Sequence, residues 1–318
     1  MLAALTLLPG PVPADTPEHA STGEEPGAGR FLDWPHDRLS RIVQGAARGA
    51  DALFSGNRNY DAPNATYLML GVAGTTFRPG DGDDLARPLT RVRLNLPHSE
   101  DRLQLLVDRG VATLTRSDAQ RDAEVAAGQA VRDDTTFAAL RVLVVDVLRL
   151  RVTTDVGARF RVPVSPFVRV RADRATALGS WKLLLSQTFL DSTHDGFQST
   201  SQASFQRPLA EHVTLSLLTD ATWRQPRHAF TWSESAGVLW QIDDRTLAGA
   251  EAGLIAVSGA DAGITATTLS LRWRRRLHRD WLILEARPQL VYPRDRGFQP
   301  IASLTVQVEV YFGEGYPR

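Results

Sequence analysis

Apolar and polar residues alternate with a period of two along most of this chain. The alternation is clearest from Ala302 to Phe312, which read ASLTVQVEVYF. Apolar residues occupy the even positions, and Ser, Thr, Gln, Glu and Tyr occupy the odd ones. Successive side chains of a β-strand point to opposite faces. The run therefore predicts a strand with one apolar and one polar face.

Similar runs continue from residue 66 to residue 312, separated by turn sequences such as DSTHDG, WRQPRH and SGADAG. Many are 10 to 13 residues long. Soluble strands are typically about 5 to 6 residues long, whereas a strand that crosses a bilayer needs about 9 to 11. The first four runs are less regular, so twelve strands are an alternative to fourteen. The fourteen predicted strands are 66–77, 89–96, 102–109, 136–145, 148–160, 164–174, 181–190, 197–206, 212–224, 229–242, 246–257, 264–277, 281–292 and 301–312.

The first part of the chain has a different pattern. Residues 1–14 resemble the apolar part of a secretory signal peptide, with cleavage expected after Ala14. Residues 15–36 are rich in Pro, Gly, Glu and Ser and predict a flexible leader. Apolar residues at helical spacing from Asp37 to Phe54 predict a short amphipathic helix. We expect the segment 37–60 to pack in the periplasm or to plug the barrel, and the alternative is that it binds a partner in the envelope.

The runs predict an all-β fold: a transmembrane, antiparallel, up-and-down β-barrel over residues 66–312, followed by a C-terminal tail at 313–318. A closed barrel leaves no unpaired strand edge in lipid. Its apolar faces would point to lipid, whereas in the alternative, a soluble all-β protein, they would form the core. Several aromatic residues lie near the ends of predicted strands, where membrane-interface girdles occur. They are Trp181, Trp223, Phe230, Trp240, Tyr292, Tyr311 and Phe312.

The end of the last run, VQVEVYF, resembles the C-terminal strand of Gram-negative outer-membrane proteins. The matching positions are Val306, Val308, Val310 and the aromatic Phe312. The resemblance implies insertion by the barrel-assembly machinery. It also implies a location in the bacterial outer membrane, with outer-membrane lipid around the barrel.

Composition narrows the range of partners and chemistry. The chain has 36 basic and 36 acidic residues, so no charge excess points to nucleic acid. It has no cysteine, which excludes disulfides, thiolate zinc sites and cysteine nucleophiles. His98 and His278 fall in predicted periplasmic turns, and their spacing suggests no metal site. We expect no cofactor.

Polar residues on the inner faces of the last three predicted strands form a candidate charge network. Neighbouring strands lie about 4.8 Å apart, so arginines and carboxylates of adjacent strands could pair across the wall. Such pairs would either stiffen the wall or select solutes by charge. The candidates are Arg272, Arg274, Arg276, Glu285, Arg287, Gln307 and Glu309, and the network could extend to Asp155, Arg159, Arg169, Arg171, Asp220 and Glu251. Glu234 lies on the apolar face of its run, which indicates a bulge or a different strand phase.

These features predict a passive channel or a structural envelope protein, with the oligomeric state and any solute left open. The alternative is a lipid or peptide hydrolase with a site at the rim. The turn DSTHDG offers Asp191, Ser192, His194 and Asp195, and His228 lies in another loop. A serine and a histidine two residues apart in a polar turn are usually part of the turn alone.

Overall fold

A computed structural model describes residues 36–37, 39–40, 66–78, 85–96, 103–109, 136–147, 150–225, 229–259 and 262–313. The described chain contains fourteen β-strands and a 3-10 turn at Arg294–Arg296. The strands are β1 (Tyr67–Phe77), β2 (Leu85–Leu96), β3 (Leu103–Arg109), β4 (Thr136–Val147), β5 (Leu150–Phe160), β6 (Ser165–Leu178), β7 (Trp181–Ser192), β8 (Gly196–Ala210), β9 (Val213–Arg224), β10 (Ala229–Asp243), β11 (Thr246–Val257), β12 (Gly263–His278), β13 (Leu282–Pro293) and β14 (Ile301–Gly313).

Each strand pairs antiparallel with its neighbours in sequence, and β14 pairs with β1 to close the barrel. The closing register runs from Tyr67 opposite Gly313 to Phe77 opposite Ser303. The prediction of a closed up-and-down barrel is therefore confirmed, with fourteen strands rather than twelve. β2 begins at Leu85, four residues earlier than predicted.

The two ends of the barrel differ in the length of their connections. At one end, five of the connections are two or three residues long, such as 179–180 and 244–245, and this end also carries the start of β1 and the end of β14. We call it the turn end. At the opposite end, the loop end, the connections include 78–84 and 110–135. In bacterial outer-membrane barrels the short turns face the periplasm.

The predicted N-terminal helix lies mostly outside the described residues. His36, Asp37, Leu39 and Ser40 are helical. The His36 ring stacks on Trp281, with 4.5 Å between ring centroids, and its Nε2 lies 2.8 Å from the carbonyl oxygen of Tyr311. These contacts attach the segment to the turn end. No helix within the described ranges is long and apolar enough to span a membrane.

The alternation predicts one apolar and one polar face of the wall, and the structure shows which of them lies outside. Large apolar side chains of the strands are exposed on the outside: Val72 is 58% exposed and Leu271 53%. The carboxylates of Asp155 and Glu309 face inward and are 1% and 4% exposed. Polar side chains thus line the inside of the barrel, the reverse of a soluble β-protein.

The inner face also carries apolar side chains near both ends, which the alternation did not predict. At the turn end, Met69, Leu89 and Ile283 pack together with Tyr67, Ala73, Trp281 and Tyr311. Towards the loop end, Phe137 and Phe167 meet edge to face, with ring centroids 6.0 Å apart. Much of the inner charge therefore lies between these apolar clusters.

Candidate functional site

A cluster of arginines and carboxylates joins the inner faces of β12, β13 and β14. Arg274 lies opposite Glu285 in the register, and Glu285 lies opposite Gln307. Residues directly opposite in an antiparallel pair project to the same face. The register therefore brings side chains from three strands together inside the barrel.

Glu285 is the centre of this cluster. Its Oε2 accepts hydrogen bonds from Arg272 Nη2 at 2.7 Å and from Arg274 Nη1 at 3.1 Å, and its Oε1 accepts one from Arg287 Nη2 at 2.6 Å. Arg274 also donates to Glu309 Oε2 at 2.9 Å. One carboxylate thus holds three guanidinium groups, and a second carboxylate shares one of them.

Two further side chains complete what we call the Glu285 network. Gln307 Nε2 donates to Glu309 Oε1, and the hydroxyl of Tyr311 donates to Glu309 Oε2 at 3.0 Å. The network consists of Arg272, Arg274, Glu285, Arg287, Gln307, Glu309 and Tyr311. Arg276, a predicted member, instead donates to Asp280 Oδ1 at 3.0 Å and to the carbonyl of Asp244 at the turn end.

A second cluster, the Asp155 network, joins β4, β5 and β6. Arg141, Asp155 and Arg169 occupy one row of the register. Arg141 donates through Nε to Oδ1 at 2.7 Å and through Nη2 to Oδ2 at 3.1 Å, and Arg169 Nε donates to Oδ2 at 2.6 Å. Asp155 and Arg169 were candidates from the sequence, whereas Arg141 was not among them.

Further polar contacts extend along the neighbouring inner wall. Arg171 Nε lies 2.9 Å from both carboxylate oxygens of Asp173, and Ser186 donates to Asp173 at 2.5 Å. Ser233 donates to the buried carboxylate of Asp220. These pairs add polar surface to the inner wall without adding net charge around Asp173.

A third cluster lies at the loop end, in the turn that the sequence offered as a hydrolase site. Arg159 donates to Asp195, and Arg161 Nη2 lies 3.3 Å from both oxygens of the same carboxylate. The backbone N–H of Asp195 donates to Ser192 Oγ at 3.2 Å. Ser192 and Asp195 thus make contacts that shape and anchor a turn.

The charge of Asp195 is favoured by its surroundings. Partial burial by itself raises the pKa of this carboxyl group, but the guanidinium groups of Arg159 and Arg161 outweigh burial. The pKa of Asp195 is therefore lowered, and the carboxylate stays ionised well below neutral pH. His228 and His98, also considered from the sequence, lie outside the described residues. No group of three or more potential ligand side chains in the described chain could hold a metal ion.

The predicted membrane-interface aromatics lie on the outer face, with one exception. The register places Trp181, Trp223, Trp240, Tyr292 and Phe312 on that face near strand ends, together with Phe230. Tyr311 was grouped with them and is corrected: it lies on the inner face, 4% exposed, in the Glu285 network. The guanidinium of Arg207 lies over the Trp181 ring, 5.7 Å from its centroid.

The structure also corrects the expectation of a bulge or a different strand phase at Glu234. The pairing of β10 with β9 and β11 is regular around it, with a register shift only between Gln241 and Asp243. Neither a bulge nor a different strand phase is needed, because Glu234 lies exposed on the outer face opposite Thr219 and Leu254. The apolar outer wall therefore carries a carboxylate.

The closed antiparallel sheet, the apolar outside and the polar inside define the class of this protein: it is a Gram-negative outer-membrane β-barrel with a porin-like fold. A wall of exposed valine and leucine would be unstable in water, and closure satisfies every strand edge within the membrane. The sequence-based assignment to this broad class and to the outer membrane is confirmed.

No protein-family model and no curated protein matches the chain. Solved outer-membrane structures are similar to it at low identity. A loop L8 deletion mutant of OmpT, an outer membrane protein of Vibrio cholerae, is 7% identical, with a TM-score of 0.49 and coverage of 78% of this chain and 98% of that one. The outer membrane channel DcaP of Acinetobacter baumannii is 7% identical, with a TM-score of 0.47 and coverage of 80% and 99%. OccK11 of Pseudomonas aeruginosa is 10% identical, with a TM-score of 0.42 and coverage of 78% and 94%.

Proposed function

We propose that this protein is a passive channel of the outer membrane that prefers small anions. The observation that carries the proposal is a repeated excess of positive charge. The Glu285 network has three guanidinium groups and two carboxylates. The Asp155 network has two guanidinium groups and one carboxylate, and so does the cluster around Asp195.

The charged residues on the rest of the inner face also support a net positive charge. Away from the two rims, the register places these carboxylates on the inner face: Asp108, Asp155, Asp173, Asp220, Glu251, Glu285 and Glu309. Its arginines, counted over the same region, include Arg91, Arg93, Arg141, Arg169, Arg171, Arg272, Arg274 and Arg287. Several of these pair locally, as in the 2.9 Å contact between Arg91 and Asp108. Arginine remains in excess.

Fixed charge on the wall of a narrow pore selects ions because low-dielectric surroundings concentrate its field in the pore. Arginine keeps its charge at all physiological pH values. The carboxylates hold the guanidinium groups against the wall, so the excess charge is both permanent and positioned. We therefore infer a preference for anions that does not depend on pH near neutrality.

The test is the reversal potential of the purified protein in planar bilayers under a KCl gradient. We expect a preference for chloride over potassium. Glu285→Gln should increase this preference because it removes an inner negative charge, and Arg169→Gln should decrease it. Glu234→Gln is the matched control: it makes the same change on the outer face and should leave the reversal potential unchanged.

A preference for potassium, or equal shifts for Glu285→Gln and Glu234→Gln, would overturn the proposal. Absence of conductance from a barrel that shows heat-modifiable migration on a gel would favour a structural envelope role. The three results are separable because folding is measured independently of current.

A further inference from the structure

A cavity of about 150 Å³ opens in the inner face beside the Glu285 network. It lies over β10, β11 and β12, and its lining includes Gly237, Gly249, Glu251, Ser270, Arg272 and Arg287. One water molecule needs about 15 Å³ of cavity volume, so this cavity has room for roughly ten water molecules. It therefore accepts a ligand with a comparable number of non-hydrogen atoms.

Two glycines make the floor of the cavity. A β-carbon at Gly249 would lie 2.9 Å from Leu239 Cδ2, and one at Gly237 would lie 3.0 Å from the carbonyl oxygen of Ala250. Glycine weakens a strand interior by about 0.5 to 1 kcal/mol relative to alanine. It occurs there at bulges or where another group approaches the backbone closely. The register has no bulge at either position, and the groups that approach closely are the chain's own: the Leu239 side chain at Gly249, and the Ala250 carbonyl and Glu251 side chain at Gly237.

The polar groups around this floor carry both signs of charge. Glu251 lies on β11, opposite Ser270 in the register. Arg272 and Arg287 lie on the side of the Glu285 network, where both donate to Glu285. Arg272 keeps 36% of its side chain exposed, although its Nε atom is itself buried. The cavity thus offers donors on one side and an acceptor carboxylate on the other.

This arrangement discriminates between classes of ligand. A simple anion would meet the repulsion of Glu251, and a simple cation would meet that of Arg272 and Arg287. A ligand with a carboxylate and an ammonium group attached to the same carbon atom satisfies both sides at once. Ser216, which also lines the cavity, adds a hydroxyl group that can donate or accept.

We propose that this cavity is a binding site for small zwitterions of the α-amino acid class. The carboxylate of the ligand lies toward Arg272 and Arg287, and its ammonium group lies toward Glu251. The two glycines leave room for the Leu239 and Glu251 side chains, which lie over them beside the ligand. Passage of the bound solute across the membrane rests on the proposed channel function, but binding does not.

The test is isothermal titration calorimetry of the full-length protein in detergent micelles, with L-alanine as the zwitterionic probe. Acetate and methylammonium carry its two charges separately and serve as matched probes. We expect saturable L-alanine binding and at least tenfold weaker binding of each single-charge probe. Glu251→Gln should weaken L-alanine binding at least tenfold and strengthen acetate binding, a reversal that general loss of structure does not produce.

A steric variant tests the place of binding. Gly249→Val fills the floor, and Leu239 can move aside because the nearest atom is the end of a flexible side chain. We expect at least a tenfold loss of L-alanine affinity with unchanged heat-modifiable migration. Gly74→Val is the control, because no atom lies within 4 Å of a β-carbon at Gly74.

Three results would overturn the proposed site. The first is that L-alanine gives no saturable binding heat, and the second is that acetate binds as tightly as L-alanine. The third is that the wild type and Gly249→Val bind L-alanine with equal affinity. A cation-selective reversal potential with intact L-alanine binding would instead refute the proposed anion channel and leave the cavity proposal standing. Anion selectivity without L-alanine binding would support the proposed anion channel and refute the cavity proposal.

Discussion

Replacing Asp155 by asparagine removes the shared negative charge of the Asp155 network while keeping the shape of the side chain. Arg141 and Arg169 approach this carboxylate from the two neighbouring strands, with contacts of 2.6 to 3.1 Å among those described above. The variant leaves two guanidinium groups facing each other across a neutral amide. The NH₂ group of the amide also cannot accept the hydrogen bonds that a carboxylate oxygen accepted.

The expected cost follows from burial. Breaking a buried ion pair by removing one partner typically costs about 3 to 5 kcal/mol, because the other charge stays buried and uncompensated. The Asp155 side chain is 1% exposed and that of Arg169 is 9% exposed, whereas Arg141 is 20% exposed and can recruit water. We therefore expect about 3 kcal/mol, the lower end of that range. This corresponds to a change on the order of 100-fold in the unfolding equilibrium constant.

The assay is equilibrium unfolding in urea with the barrel in lipid vesicles, followed by heat-modifiable gel migration. Asp295→Asn is the control, since Asp295 is exposed in the 3-10 turn and its side chain makes no ion pair within the described chain. We expect that control to change the free energy of unfolding by less than about 0.5 kcal/mol. If Asp155→Asn does not differ measurably from it, the network does not stabilise the wall and the reasoning is refuted.

Two further predictions test the assignment of the faces and the charge at the rim. Val308→Arg puts a cation on the outer face and should destabilise the barrel in vesicles by about 2 to 4 kcal/mol. Gln307→Arg, one residue away, puts the same cation on the polar inner face opposite Glu285 and should cost less than Val308→Arg; equal costs would contradict the assignment. Asp195→Asn should cost about 1 kcal/mol at pH 7, because its ion pairs with Arg159 and Arg161 are partly exposed. The folded-state pKa of Asp195 is lowered, so this stabilisation is present above the ordinary aspartate pKa near 4 and is lost as the pH falls through the lowered value. Unfolding measured from pH 7 to pH 2 should show the wild type and the variant converging, and a constant difference would argue against these ion pairs.

Local sequence was sufficient to predict much of the Glu285 network. Arg274, Glu285 and Glu309 lie in regular runs on three consecutive strands, of which β12 and β13 are joined by only three residues. Their phase along each run determines the face, and the three-residue connection restricts the register of β12 with β13. The candidates therefore met in the structure much as their positions along the strands suggested.

The same reasoning failed where register or closure decides the contact. Arg141 joins Asp155 across strands whose pairing shifts at a bulge between Leu143 and Val145, and a period of two does not predict that shift. Arg276 has the expected phase but lies close enough to the turn to bond there. Tyr311 was misplaced because proximity to a strand end outweighed its odd position in the run.

The sequence by itself determined the strands, their order and which residues share a face, because a two-residue period is a local property of each strand. Alternation alone could not determine which face is inside, because it is symmetric between a soluble core and a lipid-facing wall; strand length and the aromatic positions only favoured the lipid-facing alternative. Pairing of β14 with β1 creates an inside and an outside, and the burial of Asp155 and Glu309 with the exposure of Val72 and Leu271 shows that the polar face is inside. The glycine-floored cavity likewise depends on the tertiary structure, because its lining comes from five neighbouring strands, β9 to β13, held in one register.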